Sequence, residues 1–329
     1  MKNLKDLQSR VLQLSPADFE DLALEVFNFQ AQENVVYGEY LQHLNVEPSE
    51  VSAISGIPFM PIDFFKTKSV RAGQWTEEGY YESSGTGYGV RSRHYIQDIG
   101  FYQQGAQKAF ERLYGPLSQF AILALLPSYL EREHSSLVAM ADFFMSKADS
   151  KLSGFYLYEH KALLEQVERV KKAGKKLLLI GVSFALLDLA EEGADLSGAI
   201  VMETGGMKGR RKEMIRAELH EVLKKGLGIA QIHSEYGMTE LLSQAYARRE
   251  GLFETPPWMK VYIRDLNDPF SFVNFGRSGG VNVVDLANVH SCAFVETQDI
   301  GISHPNGTFE ILGRFDNSEI RGCNLLLFS

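Results

Sequence analysis

The chain has 329 residues, room for one large domain or two of medium size. Hydrophobic residues make up 45% and aromatic residues 11%, ample for a sizeable core. With 33 basic against 42 acidic residues the net charge is -9, which excludes the basic footprint of a general nucleic-acid binder.

Two cysteines, Cys292 and Cys323, do not make a disulfide framework and predict a reduced, cytoplasmic setting. Met1 to Asp6 carries no apolar run of the signal-peptide kind. The longest apolar stretch, Ala121 to Leu126, is too short to span a bilayer, so no transmembrane segment is expected. No lipidation motif is seen.

In chain order, Ser15-Pro16-Ala17-Asp18 predicts a helix start, with Ser as N-cap, Pro at the first helical position and Asp facing the dipole. Phe19, Leu22, Ala23, Val26 and Phe27 follow at helical spacing, and Tyr37, Tyr40, Leu41 and Leu44 form a second amphipathic stretch. Ile57 to Lys66 is apolar and punctuated by two prolines, which forbid a regular helix across them and suit a pocket wall. Lys66 and Lys68 read as surface charges, with a phosphate-contacting role as the alternative. In Tyr81-Glu82-Ser83-Ser84-Gly85-Thr86-Gly87-Tyr88-Gly89, glycines and hydroxyls follow a strand-like lead, so consecutive N–H groups can wrap an anion. The Walker pattern is missing, which disfavours a P-loop NTPase.

Strand and helix then alternate. Strands are predicted at Phe120–Leu126, Lys176–Gly181 and Ala199–Thr204, the last running into Gly205-Gly206. Helices are predicted at Ser135–Met145, Tyr158–Ala173 and Ala185–Glu192. The alternation argues for α/β layers with parallel strands. Gly181-Val182-Ser183-Phe184-Ala185 lies where a hydrolase nucleophile elbow would, but the last Gly is Ala and no later His has a distinctive context. Ser183 reads instead as a helix N-cap or part of an acyl pocket. Lys208-Gly209-Arg210-Arg211-Lys212 reads as a solvated helix start.

Gly226 to Ile232 predicts a short buried strand and Leu241 to Ala247 a helix, so His233 to Glu240 falls at a strand-to-helix turn. Ligands of α/β sheets bind at the carboxyl ends of strands. Tyr236 offers a flat aromatic for a base, Gly237 close backbone approach, Thr239 a hydroxyl for a phosphate and Glu240 a carboxylate for Mg²⁺. From Met259 the pattern is β-rich: Met259–Arg264, Gly280–Asp285 and Ala293–Glu296.

Tyr236-Gly237-Met238-Thr239-Glu240 resembles the core signature of the adenylate-forming enzymes, which make acyl-AMP from a carboxylic acid and ATP. Ser83-Ser84-Gly85-Thr86-Gly87 resembles their phosphate loop with one Thr missing. Thr297-Gln298-Asp299 resembles their Thr-Gly-Asp, and Gly313-Arg314-Phe315-Asp316 their Gly-Arg-x-Asp. The four motifs fall in the family's order and span most of the chain. The resemblance implies an α/β fold: layered mixed sheets sandwiched by helices with a β-rich barrel-like portion, as in the family's large domain. It puts that domain at residues 1–312 and a short C-terminal appendage at 313–329. It also implies Mg²⁺ on Glu240, a phosphate on Thr239 and adenine on Tyr236. Asp299 and Arg314 would take the ribose, and Ser83, Ser84, Gly85, Thr86 and Gly87 the phosphates. Gly237 would let the nucleotide approach, and Gly205 and Gly206 would form a pocket floor.

Ile57 to Lys66, the Asn34 to Tyr37 region and the ending Glu319 to Leu327 around Cys323 further resemble the LuxE-like acyl-protein synthetases of bacterial luminescence. In that family a fatty acid is activated as acyl-AMP, and the acyl group passes to a near-terminal Cys and on to a partner reductase. Cys323 matches that position, and Arg321 would favour its thiolate. The bland alternative is a small apolar residue before a strand. Cys292 lies in an apolar run and is expected to be buried and inert. The usual adenylate-forming enzyme continues for roughly another hundred residues carrying a catalytic Lys; here either another cation, such as Lys66 or Lys208, substitutes for it or the first half-reaction is slow. Two other readings stand beside this one. An acyl- or aryl-CoA ligase of the phenylacetate type would turn over without Cys323, and a non-catalytic nucleotide- or acyl-binding homologue would bind ATP without releasing pyrophosphate.

Overall fold

Five parallel strands and the antiparallel run that continues them form the backbone of the molecule. The structure, a computed structural model, describes residues 4–83, 90–127, 134–205, 211 and 214–315. Three helices lead: α1 (Leu4–Val11), α2 (Phe19–Glu33) and α3 (Val35–His43). The Ser15 side chain accepts from the Ala17 N–H in the 3₁₀ turn that opens α2, and Asn34 accepts from Tyr37 N at the start of α3. The apolar stripe on α2 (Phe19, Leu22, Ala23, Val26, Phe27) is buried as its spacing requires. The Pro-punctuated segment forms β1 (Met60–Pro61) and the single turn α4 (Phe64–Thr67). A separate antiparallel hairpin, β2 (Gly79–Glu82) and β3 (Arg93–Ile96), follows, and then α5 (Ile99–Tyr114).

The alternating region comprises β4 (Phe120–Leu125), α6 (Ser136–Lys147), β5 (Gly154–Tyr156), α7 (His160–Lys172), β6 (Lys176–Val182), α8 (Ser183–Glu191), β7 (Ile200–Thr204), α9 (Arg216–Leu227) and β8 (Ile232–Tyr236). Six strands complete the order: β9 (Ala245–Ala247), β10 (Phe253–Glu254), β11 (Met259–Arg264), β12 (Ser278–Asp285), β13 (Phe294–Ser303) and β14 (Phe309–Arg314). They join one 12-stranded sheet ordered β11-β12-β13-β14-β10-β9-β8-β7-β6-β4-β5, with β1 beside β13. Pairing is parallel from β5 to β8 and antiparallel from β8 to β11. The mixed α/β architecture flanked by helices, β-rich toward the C-terminal end, is thus the expected one. Every residue of β4 is buried, as for a strand covered on both faces. No helix among the described residues is long and apolar enough to cross a membrane.

Three local expectations are corrected. Gly226 is not a strand boundary: α9 runs through it to Leu227, because a Cβ there would lie 2.6 Å from Ala190 Cβ, so the missing side chain lets α8 and α9 touch. Gly228, at φ +65°, ends the helix in the left-handed conformation, and the strand starts four residues later at Ile232. Leu241–Ala247 is not a helix. Leu242 and Ser243 donate their N–H groups to side chains from β12 and the turn after it, which leaves Ala245–Ala247 to pair as β9 between β8 and β10. Ser183 is the first residue of α8, not its cap; its hydroxyl faces Gly205 O at 2.9 Å and Glu203 Oε2 at 3.2 Å.

Candidate functional site

The segment from Gly237 to Gln244 is irregular, and Thr239 to Gln244 are buried. Buried backbone polar groups outside regular structure need partners. Three side chains provide them. Asp285 accepts from Leu242 N (3.0 Å) and Ser243 N (2.9 Å) through one oxygen, and from Ser243 Oγ (2.6 Å) and Ala287 N (3.1 Å) through the other. Burial nonetheless pushes its carboxyl up to about 6. Asn288 accepts from Leu242 N (3.0 Å) and donates to Glu240 O (2.8 Å). His94 on β3 lies 2.9 Å from Thr239 O through Nδ1 and 2.9 Å from Ser291 Oγ through Nε2. A carbonyl can only accept, so Nδ1 carries the proton and Nε2 accepts from Ser291; burial keeps the ring neutral by pulling it down to about 4. Behind these, Gln30 and Asn34 at the end of α2 donate to the Asn288, Val289 and Ser291 carbonyls.

At the head of this turn, the Tyr236 hydroxyl donates to Asp299 Oδ2 at 2.7 Å. The Tyr236 ring sits edge-on against Phe253 (5.8 Å) and Phe309 (5.5 Å). Asp299 and Arg314 are register partners across β13 and β14, and Arg314 Nε lies 3.8 Å from Asp299 Oδ1. The two expected ribose contacts therefore stand side by side. A bulge between Ile300 and Gly301 interrupts the ladder one residue after Asp299. Burial raises the Asp299 carboxyl, and Tyr236, Arg314, Arg216 and Arg264 pull it back.

Glu240 is buried, and burial raises its carboxyl while a hydrogen bond from Ser92 and the charges of Arg314 and Lys66 lower it. Ser92 N donates to Ser83 Oγ (2.9 Å) and Ser92 O accepts from Ser83 N (3.0 Å), so the two ends of the Gly/Ser loop meet beside Glu240. The structure thus brings Ser83, Tyr236, Gly237, Thr239, Glu240, Asp299 and Arg314 to one rim. Ser84, Gly85, Thr86, Gly87, Gly206 and Cys323 lie outside the described residues. Gly205 directly follows β7, its carbonyl facing Ser183. Among the described residues no group of three or more His, Cys, Asp or Glu is arranged to hold a metal. A lone buried carboxylate with a hydroxyl neighbour fits Mg²⁺ arriving with phosphates, since that ion keeps most of its waters and takes one or two carboxylates plus substrate oxygens.

Under the rim lies a charged layer that sequence reasoning missed. Glu203 accepts from Arg216 (3.1 Å) and lies 3.6 Å from His220; burial pushes its carboxyl up, but His220, Arg216 and Ser234 outweigh it and leave it at about 2. Glu235, on the neighbouring strand, accepts from Thr204 Oγ1, yet burial and Glu203 push it to about 7. Gly237 lies against it: a Cβ there would be 2.3 Å from Glu235 Oε1. Of the missed residues, Glu235 alone stood beside the motif, directly before Tyr236. His94, Asp285 and Asn288 had no signal within their own segments. Cys292 is fully buried, and burial raises its thiol to about 12.

A solved structure of ATP-bound MatB from Rhodopseudomonas palustris has 17% identity and a TM-score of 0.54, covering 71% of this chain and 47% of its own. O-succinylbenzoate coenzyme A synthetase MenE from Bacillus subtilis, with ATP and magnesium ion, has 16% identity and a TM-score of 0.54, covering 82% of this chain and 53% of its own. The luciferase-like enzyme of the nonluminescent Zophobas morio mealworm has 16% identity and a TM-score of 0.51, covering 74% and 58%. The chain spans about half the length of these structures, and at such identities the likeness shows the shared fold alone. No curated protein matches the sequence. The family described as acyl-protein synthetase, LuxE, matches residues 7–329, and the chain belongs to it.

Proposed function

We propose that this protein activates a carboxylic acid, of the fatty acid class, as acyl-AMP at the expense of Mg²⁺·ATP. Residues 1–312 serve as the adenylating body. The appendage 313–329 carries the acyl group on Cys323 to an acyl-accepting protein such as a reductase. The observation that supports the reading is the convergence of Tyr236, Thr239, Glu240, Asp299 and Arg314 with Ser83 at one rim, from segments more than 200 residues apart in sequence. Membership in the acyl-protein synthetase family supports it independently.

The chemistry asks mainly for positioning. A carboxylate is ionised at neutral pH and needs no general base; it must be aligned with the α-phosphorus, and charge must be neutralised. Asp299 accepts a ribose hydroxyl, with Arg314 covering the same sugar. The Tyr236 hydroxyl is committed to Asp299, so its ring edge and Gly237 border the base. Ser83 to Gly87 would offer N–H groups to the phosphates, and Thr239 a hydroxyl. Glu240 would hold the metal, which when bound draws charge from the phosphates. The Cys323 thiolate then attacks the acyl carbonyl, and AMP leaves.

The test is incubation with ATP, Mg²⁺ and labelled fatty acids, followed by peptide mapping. Label on Cys323, released by hydroxylamine, is expected, with none on Cys292, whose thiol is buried and protonated. Pyrophosphate release with label at neither cysteine defeats the carrier role. Coenzyme A-dependent turnover that survives Cys323→Ser moves the assignment to a CoA ligase.

A further inference from the structure

Lys66 stands beside the site through two independent contacts. The first runs through β1, which pairs in parallel with β13 (Met60 with Val295, Pro61 with Glu296) and is extended by Ile62 N donating to Glu296 O at 2.9 Å. Gln298 Nε2 then donates to Asp63 Oδ2 at 3.0 Å. The residue before Asp299 thus holds the residue three before Lys66. The second contact runs through Phe65, whose ring meets His94 edge-on at 5.3 Å, and His94 in turn holds the Thr239 carbonyl. Strand β13, which bears Asp299, and His94 of β3, which holds the Thr239 carbonyl, therefore bracket α4 and fix the root of the Lys66 side chain.

Among the described residues, the other cations near the rim have partners of their own, Arg91 lying 3.6 Å from Glu82; Lys208 lies outside the described residues. Arg264 is buried and donates to Val281 O, Asn282 Oδ1 and Thr297 O. Arg216 binds Glu203 and Ile311 O. Arg314 is beside Asp299, on the ribose side. Lys66 Nζ pairs with Asp63 Oδ1 at 2.6 Å, and the two side chains are 39% and 49% exposed. An ion pair so exposed is worth about 0–1 kcal/mol. A phosphate oxygen can therefore replace Asp63 at little cost, and four methylenes let the ammonium follow the phosphorus as its geometry changes. Asp63 is a resting partner, kept in place by Gln298.

We propose that Lys66 is a catalytic residue that donates hydrogen bonds and positive charge to the α-phosphate while acyl-AMP forms; this rests on the acid-activation reading above. The carboxylate oxygen forms a bond to the α-phosphorus. The bond from that phosphorus to the oxygen bridging the β-phosphate breaks, and its electron pair leaves with pyrophosphate. No proton moves, and Lys66 stays an ammonium ion throughout.

The experiment compares the full-length protein with Lys66→Met, Lys66→Arg and, as a control on general surface charge, Lys68→Met. Pyrophosphate exchange into ATP is measured with a panel of carboxylic acids, and ATP and adenosine binding by calorimetry. Removing a group that meets charge in the transition state lowers kcat by about 100- to 1000-fold. For Lys66→Met we expect a kcat loss of that order, an ATP affinity weakened less than about tenfold, and unchanged adenosine binding. Lys66→Arg should recover part of the rate, and Lys68→Met should match the parent. Equal exchange by Lys66→Met and the parent overturns the proposal. Equal loss of ATP and adenosine binding in Lys66→Met overturns it too, by assigning Lys66 a structural role. If the parent binds ATP but exchanges no pyrophosphate with any acid, it is the acid-activation reading that fails and the catalytic role falls with it. ATP affinity in Lys66→Met then decides separately whether the phosphate contact exists.

Discussion

Replacing Tyr236 by Phe removes one oxygen and leaves the ring. The contacts with Phe253 and Phe309 persist, so the change isolates the 2.7 Å hydrogen bond to Asp299. Asp299 is a partly buried carboxylate whose nearest cation, Arg314, is 3.8 Å away on a 65% exposed side chain and contributes little. A hydrogen bond to a charged group is worth about 1.5–3 kcal/mol. At about 1.4 kcal/mol per tenfold change, a ribose contact that depends wholly on this orientation loses roughly 10- to 100-fold in ATP affinity. Tyr236 also lowers the Asp299 carboxyl, so the variant leaves it still higher and less ionised in mild acid. The loss should therefore be greater near pH 5.5 than near pH 8. The assay is the ATP KM in pyrophosphate exchange at both pH values, with thermal unfolding as the stability readout. Parent-like KM at both pH values together with a parent-like Tm would refute the claim that this hydroxyl orients Asp299.

Glu240→Gln keeps the shape but removes the charge that a metal-bound triphosphate needs; exchange should fall by at least about 100-fold with the melting curve intact, and an unchanged rate rules out the metal role. Glu235 stands at about 7 in the fold against an ordinary 4.5, so between those values the folded chain keeps a proton that the unfolded chain has lost. Its stabilising contribution is complete below pH 4.5 and is lost as pH rises through about 7. Glu235→Gln cannot titrate, so its stability relative to the parent should rise across that window in urea unfolding; parallel curves for the two would contradict the shift. Gly226→Ala puts a Cβ 2.6 Å from Ala190 Cβ and 2.7 Å from Ala190 O. Overpacking of about 1–3 kcal/mol should exceed the roughly 1 kcal/mol gained in helix propensity, lowering Tm by a few degrees. A stabilised variant would show that α8 and α9 are not in close contact there.

Local pattern alone was enough for the elements whose burial is periodic or continuous. Ser15 and Pro16 open the α2 region, and the apolar runs at Phe120, Lys176 and Ile200 are parallel strands, because a chain must bury such runs wherever it folds. Tyr236, Asp299 and Arg314 were picked out as well, on the resemblance of their segments to a known family, and the structure sets the three side by side. What those groups touch was not legible. Gly226 and Gly228 look alike as helix breakers, yet one is a contact point inside α9 and the other its left-handed cap; only the presence of Ala190 distinguishes them. Leu241 to Ala247 has the composition of a helix, but Asp285 and Asn288 take its N–H groups from more than 40 residues away. His94 reaches Thr239 across 145 positions and Gln30 reaches Asn288 across 258. Periodicity reports which side chains are buried. It carries no information about which distant donor or acceptor will satisfy a buried, irregular backbone, because that pairing exists only once the sheet has brought the two segments together.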